Sequence, residues 1–199
     1  MAIFRVPLFF NKNIQFYKLM GTGKNGTFDK IPDLSQWSIL ITYEGDLNLN
    51  AQFGSFILKW FELFCKKQTI YLLKPIEGHG LWDKKKVFGD LPPTTNYEGE
   101  IAVLTRATIR LNKLRYFWKN VAPIAAQMSA ADGFITSYGV GEIPWVKQAT
   151  FSVWESKAMM KKFAYRMPQH KAVIQKTRKQ NWYSEDMFTR FTIQQKIVK

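Results

Sequence analysis

The alternation of hydrophobic and polar positions is cleanest after Ile101, where it predicts a complete set of elements. Ile101-Ala-Val-Leu-Thr-Arg-Ala-Thr-Ile109 is rich in β-branched residues and bounded by Gly99 and Asn112, which predicts a strand. Its period of two puts Ile101, Val103, Thr105, Ala107 and Ile109 on one face. Asn112 is a candidate cap for a helix from Lys113 towards Ala131. There Leu114, Phe117, Trp118, Val121, Ile124, Ala125 and Met128 recur at helical spacing, and Pro123 is expected to kink or split the helix. Asp132-Gly133 ends it. Phe134 to Gly141 reads as a second strand, Glu142-Ile-Pro144 as a connection, and Gln148 to Trp154 as a third strand. Helical pattern resumes at Ser156, with Pro168 opening a second segment, and Asp186 to Ile193 is the last strand. The order is βαββαβ, the split arrangement of ferredoxin-like domains, with an antiparallel sheet and both helices on one face.

The first half reads as a degraded copy. Gln15 to Met20 and Trp37 to Tyr43 pattern as strands, Leu49 to Lys67 as one apolar helix, and Thr69 to Leu73 as a closing strand. That is ββαβ. Ala2 to Phe10 offers length for half of one of the two missing elements. Between the halves, residues 88–100 hold Gly89, Pro92, Pro93, Asn96 and Gly99 and read as a linker. The expected fold class is α+β: two tandem ferredoxin-like units, 1–87 and 101–199, the first incomplete at its N-terminus.

Composition adds a basic character. The 199 residues carry a formal charge of +14, with 46% hydrophobic and 16% aromatic residues, enough for a real core. Nucleic acid, anionic lipid and propionate- or phosphate-bearing ligands all suit such a charge. The single cysteine, Cys65, excludes an internal disulfide and fits a reducing cytoplasm; its apolar surroundings predict a buried, inert thiol. No run approaches the ~20 apolar residues of a spanning helix. The opening residues have an arginine in their apolar run and lack a cleavage site, so they make a poor signal peptide. A cytoplasmic protein is expected, with peripheral contact to an anionic membrane as an option.

Five segments resemble the spheroidene monooxygenase family of carotenoid-oxidising proteins, and the resemblance covers nearly the whole chain. They are Phe16-Tyr-Lys-Leu-Met-Gly-Thr-Gly23, Leu104-Thr-Arg-Ala-Thr-Ile109, Gly139-Val-Gly-Glu-Ile-Pro144, Gln148-Ala-Thr-Phe-Ser-Val-Trp-Glu-Ser156 and Trp182-Tyr-Ser-Glu-Asp-Met-Phe-Thr-Arg-Phe191. The resemblance implies insertion of a keto oxygen into a linear carotenoid, with haem and molecular oxygen. It also implies two ferredoxin-like units packed as an α/β barrel.

Haem calls for an axial ligand, usually imidazole, and the chain has two histidines. His170 shares a helical face with Phe163, Met167, Ile174 and Thr177, and with the resemblance it becomes the candidate iron ligand. His79, between two glycines, reads as a loop residue. The stretch from Lys157 to Ser184 has no acidic residue, so Arg166 and Lys171 are candidate partners for haem propionates, although a solvated basic face also explains it. Arg106 is out of phase with the apolar set of its strand: it faces water, or else a cavity, where it would serve propionate or oxygen. Gly21-Thr-Gly23 and Gly139-Val-Gly141 do not open helices, which rejects a phosphate loop. No Ser/His/Asp set and no metal-spaced Cys/His cluster is visible, so oxidation would rely on a bound cofactor.

Two functions from different classes follow. One is a haem-dependent monooxygenase of a carotenoid-like substrate, with His170 and Arg106 at the centre and an electron donor the sequence does not identify. The other is a non-catalytic binding protein for haem or an apolar ligand. The aromatic motif of RNA-recognition sheets is absent, which argues against nucleic acid. An incomplete first half would leave a sheet edge open and favour self-association.

Overall fold

The computed structural model describes residues 2–24, 29–166, 173, 175–177 and 179–199, without the side chains of Val121, Ala122, Tyr165 and Arg166. Its frame is one antiparallel sheet. In the second half β4 (Ile101–Ile109), β5 (Phe134–Ile143), β6 (Lys147–Trp154) and β7 (Tyr183–Val198) are joined by helix α4 (Leu114–Ser129) and by α5 (Lys157–Lys161) with a π turn at Lys162–Arg166. β1, β2 and β3 come from the first half: Phe16–Gly23, Pro32–Thr42 and Thr69–Gly80. The seven strands stand in the order β2-β1-β5-β6-β4-β7-β3. Within it β5-β6-β4-β7 is the ferredoxin-like order, the first and last strands of βαββαβ lying side by side. Both halves thus share one sheet, through the β1–β5 and β3–β7 pairings.

β4 forms as its pattern demands. Ile101 and Val103 pack with Trp154, Met160 and Phe163, and Ile109 packs with Phe117, Trp118 and Trp182, all on the side of the sheet that α4 and α5 cover. Ala102 and Leu104 point to the opposite, concave face, with Val140, Ala149, Val153, Met187 and Phe191. The helical side of the first half has its own cluster. Phe4 and Leu8, of the opening 3-10 turn and α1 (Arg5–Phe9), join Ile57 of α3 (Ser55–Phe64) over Tyr17, Leu19, Ile39 and Ile41. The opening turn, α1 and α3 thus cover the helical side of the first half.

Several details differ from the sequence pattern. The expected helix from Leu49 to Lys67 is two helices, α2 (Leu49–Phe53) and α3, because Gly54 takes a positive φ of 77° between them. Pro123 lies inside α4 without splitting it. Glu142 and Ile143, expected as a connection, belong to β5. α4 starts without a side-chain cap; Asn112 sits in a preceding 3-10 turn. Cys65 is half-buried rather than core, and partial burial pushes its thiol up, away from thiolate chemistry. Among the described residues no helix is long and apolar enough to cross a membrane.

Candidate functional site

The concave face has two kinds of lining. Along its middle, Leu40, Tyr71, Leu73, Tyr138, Phe151 and Ile193 are half-buried against the apolar cluster. Phe151 of β6 stands between the rings of Tyr71 and Tyr138, with centroids 5.2 and 6.4 Å away. Burial, with Tyr138 beside it, pushes the Tyr71 phenol up to about 12, so it stays a neutral donor. Its hydroxyl is buried and faces the Tyr138 side chain. The result is an apolar, aromatic trough.

One end of that trough is closed by charge. Arg106, 1% exposed, projects from β4 beneath Trp82, whose ring lies 5.6 Å from the guanidinium. It is ion-paired with Glu185, and its second terminal nitrogen lies 3.6 Å from Asp83 and 3.8 Å from Glu142. Lys18 bridges Asp83 and Glu142, Lys147 holds Asp83 at 2.8 Å, and the Trp82 indole donates to Glu142 at 2.8 Å. Burial alone would raise the Asp83 carboxyl, but hydrogen bonds from Lys147 and Lys18 outweigh it and hold the group at about 2. Arg106 Nε and Nη2 are buried without a hydrogen-bond partner, so two strong donors remain unspent.

The turn that carries Trp82 and Asp83 is itself unusual. Asp83 and Lys84 both have positive φ, 49° and 62°, as a two-residue hairpin turn requires, yet neither is Gly or Asn. Glu185 offsets that cost by accepting both of their backbone N–H groups, at 3.1 and 2.7 Å. A second buried cluster lies within the fold, away from the trough. Glu77, fully buried, accepts from Arg190, from Lys157 at 3.2 Å, and from the Thr95 N–H and hydroxyl at 2.6 and 2.9 Å. It ties residue 95 of the inter-half segment to β3 and β7.

Of the candidates from sequence, Arg106 lies on the concave face, with its charge balanced by Glu185. Arg190, equally ambiguous in sequence, belongs to the Glu77 cluster instead. His170 and Lys171 lie outside the described residues, as does the Arg166 side chain. His79 is not in a loop: it is part of β3, opposite Phe188, and stacks on that ring at 5.7 Å. It borders a cleft of about 250 Å³ lined also by Lys86, Val87, Phe88, Met187 and Thr189. That is below the roughly 300–1,000 Å³ of ordinary small-molecule sites. The cleft beside His79 is therefore too small for a haem, and the Arg106 guanidinium already has a carboxylate partner. Among them no group of three or more His, Cys, Asp or Glu could hold a metal ion. Sequence reasoning missed Trp82, Asp83, Glu142 and Glu185, since partners 60 and 79 residues apart leave no local signal.

The fold and trough define an α+β protein with a ferredoxin-like half and an apolar concave site. The chain belongs to the spheroidene monooxygenase family. It is 33% identical over 178 residues to spheroidene monooxygenase of Rubrivivax gelatinosus, covering 89% of this chain and 68% of that protein. The Cereibacter sphaeroides protein of the same name is 30% identical over 182 residues, 90% of this chain and 56% of that one, so the chain spans little more than half of that relative. The Rhodobacter capsulatus protein is 27% identical over 197 residues, covering 97% and 81%. No family model matches. Solved structures show partial likeness. A candidate monooxygenase from Fusobacterium nucleatum gives a TM-score of 0.47 at 10% identity, covering 92% of this chain and 78% of its own. SnoaB, a cofactor-independent oxygenase from Streptomyces nogalater, gives 0.40 at 17% identity, over 49% of this chain and 95% of its own.

Proposed function

We propose that the chain is a monooxygenase whose substrate is a carotenoid or a similar long apolar chain, held in the concave trough. The observation that carries this reading is the Tyr71–Phe151–Tyr138 aromatic row beside the Arg106 cluster, in a chain whose relatives are named spheroidene monooxygenases. Flat aromatic faces suit a conjugated rod, which offers dispersion and no hydrogen bonds. An introduced carbonyl oxygen is an acceptor, and the unspent donors of Arg106 are the groups that would receive it. The carboxylates around Arg106 keep that end neutral overall, so a neutral substrate enters without an uncompensated charge.

Haem, with His170 as iron ligand and Arg166 and Lys171 on its propionates, is the cofactor that the family resemblance implies; it rests on residues outside the description above. Molecular oxygen is the co-substrate of that reading. The exposed Val6, Phe9, Phe10, Leu63 and Phe64 near Arg5, Lys59 and Lys66 suit peripheral contact with an anionic membrane, where such a substrate resides.

The deciding experiment supplies purified protein with a carotenoid, a reductant and oxygen, with and without haem, and follows products by mass. A carotenoid gaining oxygen is expected. Uptake of the polyene without any product would replace this reading with the non-catalytic binding protein. A Soret band that disappears in His170→Ala tests the cofactor separately.

A further inference from the structure

Backbone strain in this molecule collects at one end. Among the described residues the non-glycine positions with positive φ are Asp83, Lys84, Trp145 and Asn181, at 49°, 62°, 65° and 50°. Strands β3, β7, β4, β6 and β5 are neighbours and pair antiparallel. The loop after β3, the loop before β7, the β4–α4 connection and the β5–β6 turn therefore share one end of the sheet, the end nearest Arg106. All four strained residues lie in these loops.

Asp83 and Lys84 are explained by the Arg106 cluster, whose Glu185 holds their N–H groups. Trp145 has no such account. A bulky residue at positive φ is an outlier, and strain of this kind gathers where function requires it. Its ring is 54% exposed, so core packing does not hold it there. The indole N–H donates to the Lys30 carbonyl at 3.1 Å. With that donor satisfied inside the protein, the ring can leave water without losing a hydrogen bond.

The neighbouring loops also set apolar tips among cations. Leu81, Leu111 and Ile143 are 37%, 74% and 47% exposed. Lys84, Lys85, Arg110, Arg115 and Lys179 are exposed around them. Most acids of these loops are already matched: Asp83, Glu142 and Glu185 by Lys18, Lys147 and Arg106, and Asp90 by Lys86. Asp186 is exposed as well, one acid against five cations. A protein interface has a contiguous core depleted of charge. Separate apolar tips among lysines and arginines suit a lipid surface instead, with tryptophan and leucine in the headgroup boundary and the cations on anionic headgroups.

We infer that this end of the molecule docks on an anionic lipid bilayer, with Trp145 and Leu111 entering it. The surface is built from loops other than α1 and α3, and it stands on its own geometry. One consequence rests on the function proposed above: docking this way turns the Arg106 end of the trough towards the bilayer in which a polyene dissolves.

The test uses the full chain and vesicles of phosphatidylcholine with and without phosphatidylglycerol, free of carotenoid, so its outcome is separate from that of the oxygenation assay. Co-sedimentation with the anionic vesicles is expected, falling as salt is raised. Leu111→Ser and Trp145→Gly should each weaken it about fivefold or more, glycine being at ease at this φ. Quenching of tryptophan emission by lipid brominated in its acyl chains should disappear in Trp145→Gly. Should that variant fail to fold, Lys84→Gln with Lys85→Gln, both exposed, should still abolish most of the preference for anionic vesicles. Equal binding to both vesicles, or binding that these variants leave unchanged, overturns the inference. Loss of binding in Phe9→Ser or Leu63→Ser alone places the contact on α1 and α3 and overturns it too. No binding to anionic vesicles at low salt also overturns it and leaves the cations to an acidic protein partner.

Discussion

Tyr71 and Phe151 touch, ring centroid to ring centroid at 5.2 Å, although β7 and β4 lie between their strands. In a flat sheet those strands would be about 14 Å apart, three spacings of roughly 4.8 Å. The contact therefore measures how strongly the sheet curls, and it makes the concave face a trough. Trp82 closes the curl from the β3 side, meeting Phe16 of β1 at 5.6 Å.

Phe151→Ala removes the ring that both tyrosines lean on. The half-buried position predicts a loss of about 2 kcal/mol, below the 3–5 kcal/mol of a fully buried phenylalanine. Titration with a polyene, read as tryptophan quenching, should show binding weakened about tenfold or more. Unchanged binding would place the ligand elsewhere.

Glu77 sets a pH dependence whose sign follows from its partners. Burial pushes its carboxyl up, yet hydrogen bonds from Arg190, Thr95 and Lys157 prevail and hold it at about 2, below its ordinary 4.5. A depressed carboxyl stabilises the fold fully above its unfolded value and loses that contribution as pH falls through the folded one. Stability should thus decline between about pH 4.5 and 2. Glu77→Gln should lower stability at pH 7 by about 3–5 kcal/mol, because two buried cations lose their partner. It should also flatten the acid limb of a urea-midpoint profile.

Arg106→Met leaves Glu185, Asp83 and Glu142 facing one another with less compensation. A drop of about 3 kcal/mol is expected, and the double variant with Glu185→Gln, which removes the charge but keeps an acceptor for the Asp83 and Lys84 N–H groups, should recover part of it. A single variant as stable as the parent would mean that the cluster is solvated. In the oxygenation assay, Arg106→Met should lower product formation by more than Glu185→Gln does, since the donors belong to the arginine.

Gly80→Ala tests the end of β3. Its φ is +90°, and an added Cβ would lie 2.2 Å from the Asp186 carbonyl oxygen. Backbone has no flexible end to swing away, so the expected cost is at least about 3 kcal/mol in thermal or urea unfolding.

By itself the sequence determined the βαββαβ order of the second half, which residues of β4 share a face, and the ββαβ order ahead of it. Those features are periodic and local: strand alternation, helical spacing and turn residues act within a few positions. Local pattern also showed that Arg106 was out of phase, without telling water from cavity. Tertiary structure alone decided that question, because the answer depends on curl and on a turn 23 residues upstream whose Trp82 covers the arginine. It likewise moved His79 into β3, broke the Leu49 helix at Gly54, and separated Arg106 from Arg190 into two unrelated clusters. Charges find partners through space, and partners remote in sequence are chosen by how strands pair rather than by anything their neighbours encode.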